Sequence, residues 1–162
     1  MIYKYIALLA SLSTPIVCLG NDSFKVIAGA RSIHFVRVQR EVMNQSHLSI
    51  GFEYKDVQVI YVDNNSYGEH SFYVSYAPDY ELNDCFTLSA NIGFATGYYD
   101  DNSIEKNGIT ISASGSSLYN SSGVIPLIGA TISYHTPVEG FDLNATITPV
   151  VAIFTVSYDF SI

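Results

Sequence analysis

The feature that most constrains the fold is a strict alternation of apolar and polar side chains. It is clearest in FTVSYDFSI, residues 154–162, where no residue breaks the pattern. A segment of this kind is a strand with one apolar face and one polar face. It carries no lysine or proline of the sort that protects an exposed sheet edge, so both of its edges are expected to be paired. The apolar face carries Phe154, Val156, Tyr158, Phe160 and Ile162.

Two-residue periodicity recurs about eight times along the chain. No segment has the periodicity of a helix, and beyond the first twenty residues no apolar run is long enough for a membrane helix. The chain is therefore predicted to be all-β. The predicted strands are 24–36, 47–54, 57–62, 69–77, 85–98, 124–134, 141–148 and 154–162.

Three features favour a membrane barrel over a soluble exported eight-stranded barrel, which remains the alternative. The polar faces carry Ser, Thr, Asn and Gly, and only 14% of all residues are charged, against about 25% in soluble domains. Some strands reach ten residues, which spans a tilted bilayer. Short turns at 55–56, 78–84 and 135–140 alternate with long connections at 37–46 and 99–122. We predict an eight-stranded antiparallel up-and-down transmembrane β-barrel in the bacterial outer membrane, with its aromatic face toward lipid.

The first twenty residues are predicted to be a signal peptide. Lys4 precedes an apolar run, and Cys18-Leu19-Gly20 suits signal peptidase cleavage after Gly20. A lipoprotein at Cys18 and an uncleaved helical anchor are the alternatives. The barrel domain would then span 21–162 with one cysteine, Cys85, and no internal disulfide. The fifteen acidic and seven basic residues argue against nucleic acid as a partner.

Candidate chemistry is confined to one rim of the predicted barrel. The sequence has no metal-ligand spacing and no nucleotide fingerprint, so we expect no metal and no cofactor. His34 lies toward the end of the first strand, and the Asp63-Asn64-Asn65-Ser66 hairpin meets the same rim. A histidine beside a hydroxyl and an Asp or Asn can activate an acyl acceptor or form a nucleophile. The alternative is a plain turn sequence beside a hydrogen-bonded rim histidine.

Several of these segments resemble the lipid A palmitoyltransferase (PagP) family of eight-stranded outer-membrane enzymes, over roughly residues 30–162. The segments are SIHF at 32–35, Asn65-Ser66, YGEHSFYVSYA at 67–77, GFATGYYD at 93–100, IPLIGATISYHTP at 125–137 and NATITP at 144–149. The resemblance implies transfer of an acyl chain from phospholipid to lipid A. It implies His34 as base, Ser66 positioning or polarising the reacting group, and Asp63 or Asn65 orienting His34.

The chain departs from this family in three ways. Asn65 stands where the family has aspartate, tryptophan is absent, and residues 21–24 leave no room for the family's amphipathic helix. NSYG at 65–68 is also similar to a broader group of small exported barrels, in which enzymatic activity does not follow from the fold.

Small inward residues suggest a void in the upper lumen. Gly93, Ala95 and Gly97 would leave space for an acyl chain, although the same glycines could relieve crowding in a curved barrel. The resemblance places Ala77 at the floor of the acyl cavity. A pore is not expected, because eight strands enclose a narrow lumen. A polar plug is predicted from Glu53, Thr87, Ser89, Asn144 and Ser157.

Three functions remain open from the sequence, so whether the protein is an enzyme is undecided. The first, which the resemblance favours, is a lipid A acyltransferase-like barrel, monomeric, whose partners are membrane phospholipid and lipid A. The second is a non-catalytic surface barrel, structural or adhesive, that acts through residues 99–122. The third is a carrier that holds a lipid or small ligand in the void.

Overall fold

The computed structural model describes residues 23–114 and 116–161, so the predicted signal peptide lies outside the described residues. Within these two ranges the chain forms eleven strands and one short helix, α1 (Arg37–Val42). None of the helical structure in these ranges is long and apolar enough to cross a bilayer. The strands are β1 (Ser23–His34), β2 (Ser46–Tyr54), β3 (Val57–Asp63), β4 (Ser71–Tyr76), β5 (Asp79–Asn83), β6 (Phe86–Ala95), β7 (Ser103–Lys106), β8 (Ile109–Ser112), β9 (Ile125–His135), β10 (Phe141–Ile147) and β11 (Val151–Ser161).

Nine of these strands form one closed antiparallel sheet. Its order is β4-β3-β2-β1-β11-β10-β9-β6-β5, and a further pairing of β4 with β6 closes the ring. Because β4 and β5 both pair with β6, they are two halves of one barrel strand. The result is an eight-stranded up-and-down barrel, as the alternation predicts. The last strand pairs with the first, from Ser23 opposite Ser161 to His34 opposite Val151.

Three connections differ from their predictions. The prediction of a turn at 78–84 is wrong. The strand resumes after Pro78 as β5, and the chain turns only at 84–85. The Asn83 side-chain oxygen closes that turn by accepting from the N–H groups of Cys85 and Phe86. The connection at 37–46 contains α1, which the sequence analysis did not predict. The long connection at 99–122 contains a hairpin, in which Ile109–Ser112 pairs with β7.

The outer face of the barrel is apolar. Ile50, Ile92 and Ile128 near mid-strand are each more than 60% exposed, which a soluble barrel would not favour. Aromatic side chains concentrate at the end that carries the short turns, called here the short-turn rim. This distribution matches the lipid-facing band and interfacial aromatic girdle of membrane barrels. The exposed aromatic residues at this rim include Tyr54, Tyr76, Tyr80, Phe86, Tyr134, Tyr158 and Phe160.

The lower lumen is filled by a polar network, which confirms the predicted plug. Lys25 Nζ lies 2.7 Å from Asp79 Oδ2 and 3.0 Å from Glu53 Oε1, so one ion-pair cluster crosses the lumen. Asn144 donates to Ser157 Oγ at 3.0 Å, and a cavity of about 70 Å³ remains inside this network. The narrow lumen forces these groups to satisfy one another, because buried polar atoms without partners are costly.

Candidate functional site

The fold brings His34 and Ser66 together at the end of the barrel with the long connections, called here the long-loop rim. His34 ends β1, faces the lumen and is 4% exposed. Ser66 lies in the connection between β3 and β4, and its Oγ is 3.0 Å from His34 Nε2. The two residues are 32 positions apart, so this contact depends on the β3–β4 connection folding over β2. The predicted proximity of these two residues is therefore present.

The side chain of Gln45 sets the tautomer of His34. Gln45 Nε2 is 2.7 Å from His34 Nδ1 and 3.3 Å from the Met43 carbonyl oxygen. Gln45 Oε1 accepts from the His34 backbone N–H at 3.2 Å. These three contacts fix the orientation of the amide, whose nitrogen can only donate. His34 Nδ1 is therefore an acceptor, and the ring proton lies on Nε2.

This tautomer makes His34 a hydrogen-bond donor to Ser66. A general base needs a free lone pair on the nitrogen that faces the hydroxyl, and His34 Nε2 does not have one. Reversing the tautomer would require the Gln45 amide to flip, which would turn its NH₂ group against the His34 backbone N–H. In this state the contact positions Ser66 and does not activate it.

The hydrogen-bond chain continues from Ser66 into the lumen. Ser66 interacts with the Tyr98 hydroxyl, and Tyr98 Oη is 2.7 Å from Tyr73 Oη. Burial raises the pKa of Tyr98 well above its ordinary value, so this phenol stays neutral. A series of hydrogen bonds between neutral groups therefore connects Gln45 to Tyr73. In a low-dielectric site such hydrogen bonds strengthen one another.

The sequence predicts that Asp63 or Asn65 orients His34, and in the structure both side chains have other partners. Asn65 is fully buried, and its Oδ1 accepts from the N–H groups of Tyr67 (2.9 Å) and Glu69 (3.1 Å). Its Nδ2 donates to Ser71 Oγ (2.8 Å) and to the Gly97 carbonyl (2.9 Å).

Asp63 lies on the outer face, opposite the exposed Leu48, and its Oδ1 is 2.9 Å from His70 Nδ1. Among the described contacts neither Asn65 nor Asp63 reaches His34, and Gln45 holds the position expected for them.

The residues predicted to form an acyl pocket do not surround one cavity. Ala77 is fully buried at the short-turn rim, where its N–H donates to the Asp56 carbonyl at 2.7 Å. Ala95 is 2% exposed, near the opposite end. A Cβ at Gly93 would collide with the Val74 carbonyl of β4, and one at Gly97 with the His70 carbonyl. Both glycines therefore permit close backbone approach, which is the alternative that the sequence left open.

A second serine–histidine pair, missed in the sequence, lies beside the first. Ser32 Oγ is 2.7 Å from His47 Nε2, and the two residues are 3% and 8% exposed. His47 Nδ1 is 2.6 Å from the Asn64 carbonyl oxygen. A carbonyl oxygen cannot donate, so Nδ1 carries the proton and Nε2 accepts from Ser32. The two histidines thus hold opposite tautomers.

A register shift explains why this pair was missed. β1 pairs regularly up to Gly29 and then slips by one residue before Arg31 on both of its neighbours, as in a β-bulge. Uninterrupted alternation from Lys25 would place Ser32 and His34 on the lipid face. The shift turns both side chains into the lumen, opposite His47 on β2. The only sequence signal for this arrangement was the break in alternation near GARS at 29–32.

The connections above the long-loop rim form an ordered platform, defined here as α1, the β7–β8 hairpin and residues 113–114 and 116–124. The helix packs beside both strands of the hairpin. The Ala113 N–H donates to the Asn102 carbonyl at 2.9 Å, which extends the hairpin by one residue on each strand. Asn120 Nδ2 donates to the Val124 carbonyl at 3.0 Å.

A tyrosine cluster closes the mouth below the platform. The Tyr119 ring meets Tyr67 edge to face and Tyr98 at a tilt, with ring centroids 5.9 and 6.1 Å away. Burial raises the pKa of Tyr67, and its contact with Tyr119 adds to this effect. Elsewhere in the described ranges, no group of three or more His, Cys, Asp or Glu side chains is arranged to hold a metal ion.

Asn65→Asp, which restores the residue of the resembled family, is expected to destabilise the barrel without creating a catalytic carboxylate. The new oxygen would face the Gly97 carbonyl, which cannot donate. We expect a loss of about 1–3 kcal/mol in unfolding free energy, measured by circular dichroism in urea on the folded barrel in detergent. The matched control is Asn107→Asp in the β7–β8 turn, where a left-handed φ of 55° suits Asp and the change should stay within about 0.5 kcal/mol. A stable Asn65→Asp barrel would contradict the role assigned to this amide.

Comparisons with known proteins give only distant similarity. No protein-family model and no curated protein matches the chain. One similar solved structure is the Yersinia pestis outer membrane protein Ail in a phospholipid bilayer nanodisc, with 16% identity over 87% of this chain and 100% of that chain, and a TM-score of 0.43. Another is Ail, the attachment invasion locus protein of Yersinia pestis, in complex with the heparin analogue sucrose octasulfate, with 16% identity over 85% of this chain and 97% of that chain, and a TM-score of 0.40. Similarity of this degree supports no inference about family or function.

Proposed function

We propose that the protein is a small barrel of the bacterial outer membrane that acts at the cell surface through the platform. The exposed apolar band and the aromatic girdle support insertion in a bilayer, because outward side chains near mid-strand, such as Ile50, Ile92 and Ile128, are apolar and suit contact with lipid. The long-loop rim then faces the outside of the cell, since outer-membrane barrels keep their short turns in the periplasm.

The observation that carries this proposal is that the longest connection is folded. A connection of this length without structure would be expected to be a solvated loop. The platform instead holds a hairpin, a helix and a tyrosine cluster in fixed positions. It also exposes apolar side chains above the lipid-facing band, including Leu118 at 55% and Val38 at 46%. Rigid apolar side chains on a polar surface are what binding hot spots require.

The remaining features of the barrel also favour surface binding. The ion-pair cluster of Lys25, Glu53 and Asp79 occupies the lumen and opposes use as a wide pore. The tautomer of His34 opposes activation of Ser66. Ordered binding at the platform needs neither a channel nor a general base.

Replacing the β7–β8 hairpin should remove the surface phenotype and leave the barrel folded. Cells that express the chain are compared with cells in which residues 104–111 are replaced by a short Gly-Ser hairpin. We expect loss of most cell-to-cell aggregation and surface attachment, because the platform loses the strands that α1 packs against. Heat-modifiable gel migration should remain normal, since the hairpin forms its own two-stranded sheet.

The matched control changes a turn at the opposite rim. Lys55-Asp56 is replaced by Asn-Gly, which suits the left-handed φ values of 50° and 64° at these positions. This variant should keep full attachment. Equal attachment by the hairpin variant and the wild type would refute binding through the platform.

Lipid A acyl transfer is a second candidate, and the 3.0 Å contact between His34 and Ser66 favours it. The resemblance to lipid A palmitoyltransferases gives the same two residues a role. Activity would require His34 Nε2 to become an acceptor, which the Gln45 amide opposes. A carboxylate in place of that amide would reverse the tautomer, because it would accept from Nδ1–H.

The acyl-transfer candidate therefore predicts that Gln45→Glu increases acylation of lipid A. Lipid A is extracted from Gram-negative cells that express the wild type, Gln45→Glu, or the double variant His34→Ala, Ser66→Ala, and is analysed by mass spectrometry. Under the surface-binding proposal, no sample gains an acyl chain. A gain in the wild type that the double variant abolishes would replace that proposal with acyl transfer, and an increase of about 100-fold or more in Gln45→Glu would show that the tautomer limits the rate.

A further inference from the structure

We propose that Ser32 is an activated nucleophile that takes up a short acyl group from a carboxylic ester, with His47 as its general base. This activity lies in the mouth of the barrel, beneath the platform, and is separate from surface binding and from the His34–Ser66 contact. It follows from the tautomer of His47, from the cavity beside Ser32 and from the contrast with Ser66.

The Ser32–His47 pair has the order of groups that activates a nucleophile. The hydroxyl and the base are 2.7 Å apart, and a third group, the Asn64 carbonyl, orients the base from its far side at 2.6 Å. Nucleophile, base and orienting group in this sequence define an activated serine. The orienting acceptor also stabilises the imidazolium that forms when Nε2 takes the proton.

The orientation of His47 is set by the 2.6 Å contact of its Nδ1 with the Asn64 carbonyl oxygen, which is much shorter than the 3.4 Å between Nδ1 and Asn44 Nδ2. Asn44 Nδ2 also donates to the Asn64 carbonyl, at 2.9 Å. That carbonyl belongs to a residue in the left-handed region, with φ 57°, so the β3–β4 turn directs it toward β2. His47 is the second residue of β2 and faces the lumen. The base is thus fixed between a strand and a turn.

A small cavity lies against the pair. Its volume is about 40 Å³, and since one water needs about 10–15 Å³ of such space, it holds roughly three waters or a two-carbon acyl group. Its wall is apolar at Val62 and Ile153 and polar at Ser66 and Tyr98. Arg31 of β1 also lines the cavity. A short acyl group is therefore the class of substrate that fits.

The reaction balances with groups that the site already holds. Ser32 Oγ attacks the ester carbonyl while its proton passes to His47 Nε2. The bond from the acyl carbon to the alcohol oxygen then breaks, and the alcohol leaves with that proton. Water, deprotonated by the same nitrogen, attacks the acyl-serine, and the bond between Ser32 Oγ and the acyl carbon breaks. The carboxylic acid departs and Ser32 recovers its proton.

Ser66 provides an internal comparison, because it lines the same cavity. Its histidine donates to it and does not accept from it, so its hydroxyl proton has no base at 3.0 Å. Ser32 and Ser66, which line the same cavity, therefore differ in the direction of the hydrogen bond to their histidine. An ester that enters the cavity should react with Ser32 and not with Ser66.

The test uses p-nitrophenyl acetate with the refolded full-length barrel in detergent micelles. We expect p-nitrophenol release and an acetyl group on Ser32, located by tandem mass spectrometry of the acid-quenched protein. Ser32→Ala should lose the adduct. His47→Gln, which keeps a hydrogen-bonding side chain without a base, should slow acetylation about 100-fold or more. Ser66→Ala should still carry the acetyl group on Ser32.

Three outcomes would overturn the proposal: no acetyl-Ser32 in the folded wild type, an unchanged rate in His47→Gln, or an adduct that moves to Ser66. Heat-modifiable gel migration confirms folding of each variant before its rate is measured. If His47→Gln fails to fold, the two single variants Ser32→Ala and Ser66→Ala still show which serine is acetylated. Each of them removes one hydroxyl and leaves both histidines in place. Attachment measured on cells that express Ser32→Ala should equal wild type, which separates this activity from the proposed surface binding.

Discussion

The pairing of β11 with β1 is the contact on which the rest of the molecule depends. Once this ladder closes the ring, the barrel strands need no exposed edge, and every backbone group of the wall can be paired within the wall. Closure also fixes which face is inside. Eight strands leave a narrow lumen, so inward polar side chains must bind one another. The cluster of Lys25, Glu53 and Asp79 is one consequence, and the serine–histidine network at the mouth is another.

The irregularity after Gly29 decides what that mouth contains. A slip of one residue in β1 changes which side chains face the lumen, and here it turns Ser32 and His34 inward. His34 then meets the Gln45 amide, whereas His47 meets a backbone carbonyl. An amide NH₂ donates and a carbonyl accepts. The hydrogen bond between histidine and serine therefore runs in opposite directions in the His34–Ser66 and Ser32–His47 pairs. The chemistry proposed for Ser32 and denied to Ser66 rests on this difference.

Much of the fold follows from the sequence, because strand periodicity is local. The faces of β2, β6 and β11 and the alternation of short and long connections are all present as predicted. β5 was missed because Pro78 interrupts a strand without ending it. The partners of His34 were missed for a different reason. Gln45 reaches it through tertiary packing at the rim, and Asn65, which stands at the family's aspartate, is fully used in holding its own turn. Neither contact leaves a periodic signal.

The most direct test of this account is the protonation of the two imidazoles. The barrel, with ¹⁵N-labelled histidine, is placed in detergent micelles at about pH 8, above the ordinary histidine pKa of about 6.5. Two-bond ¹H–¹⁵N correlation spectra report which ring nitrogen carries the proton, and His34→Gln and His47→Gln assign the signals. The account predicts that His34 is protonated on Nε2 and His47 on Nδ1. The same tautomer at both residues, or the reverse assignment, would contradict it.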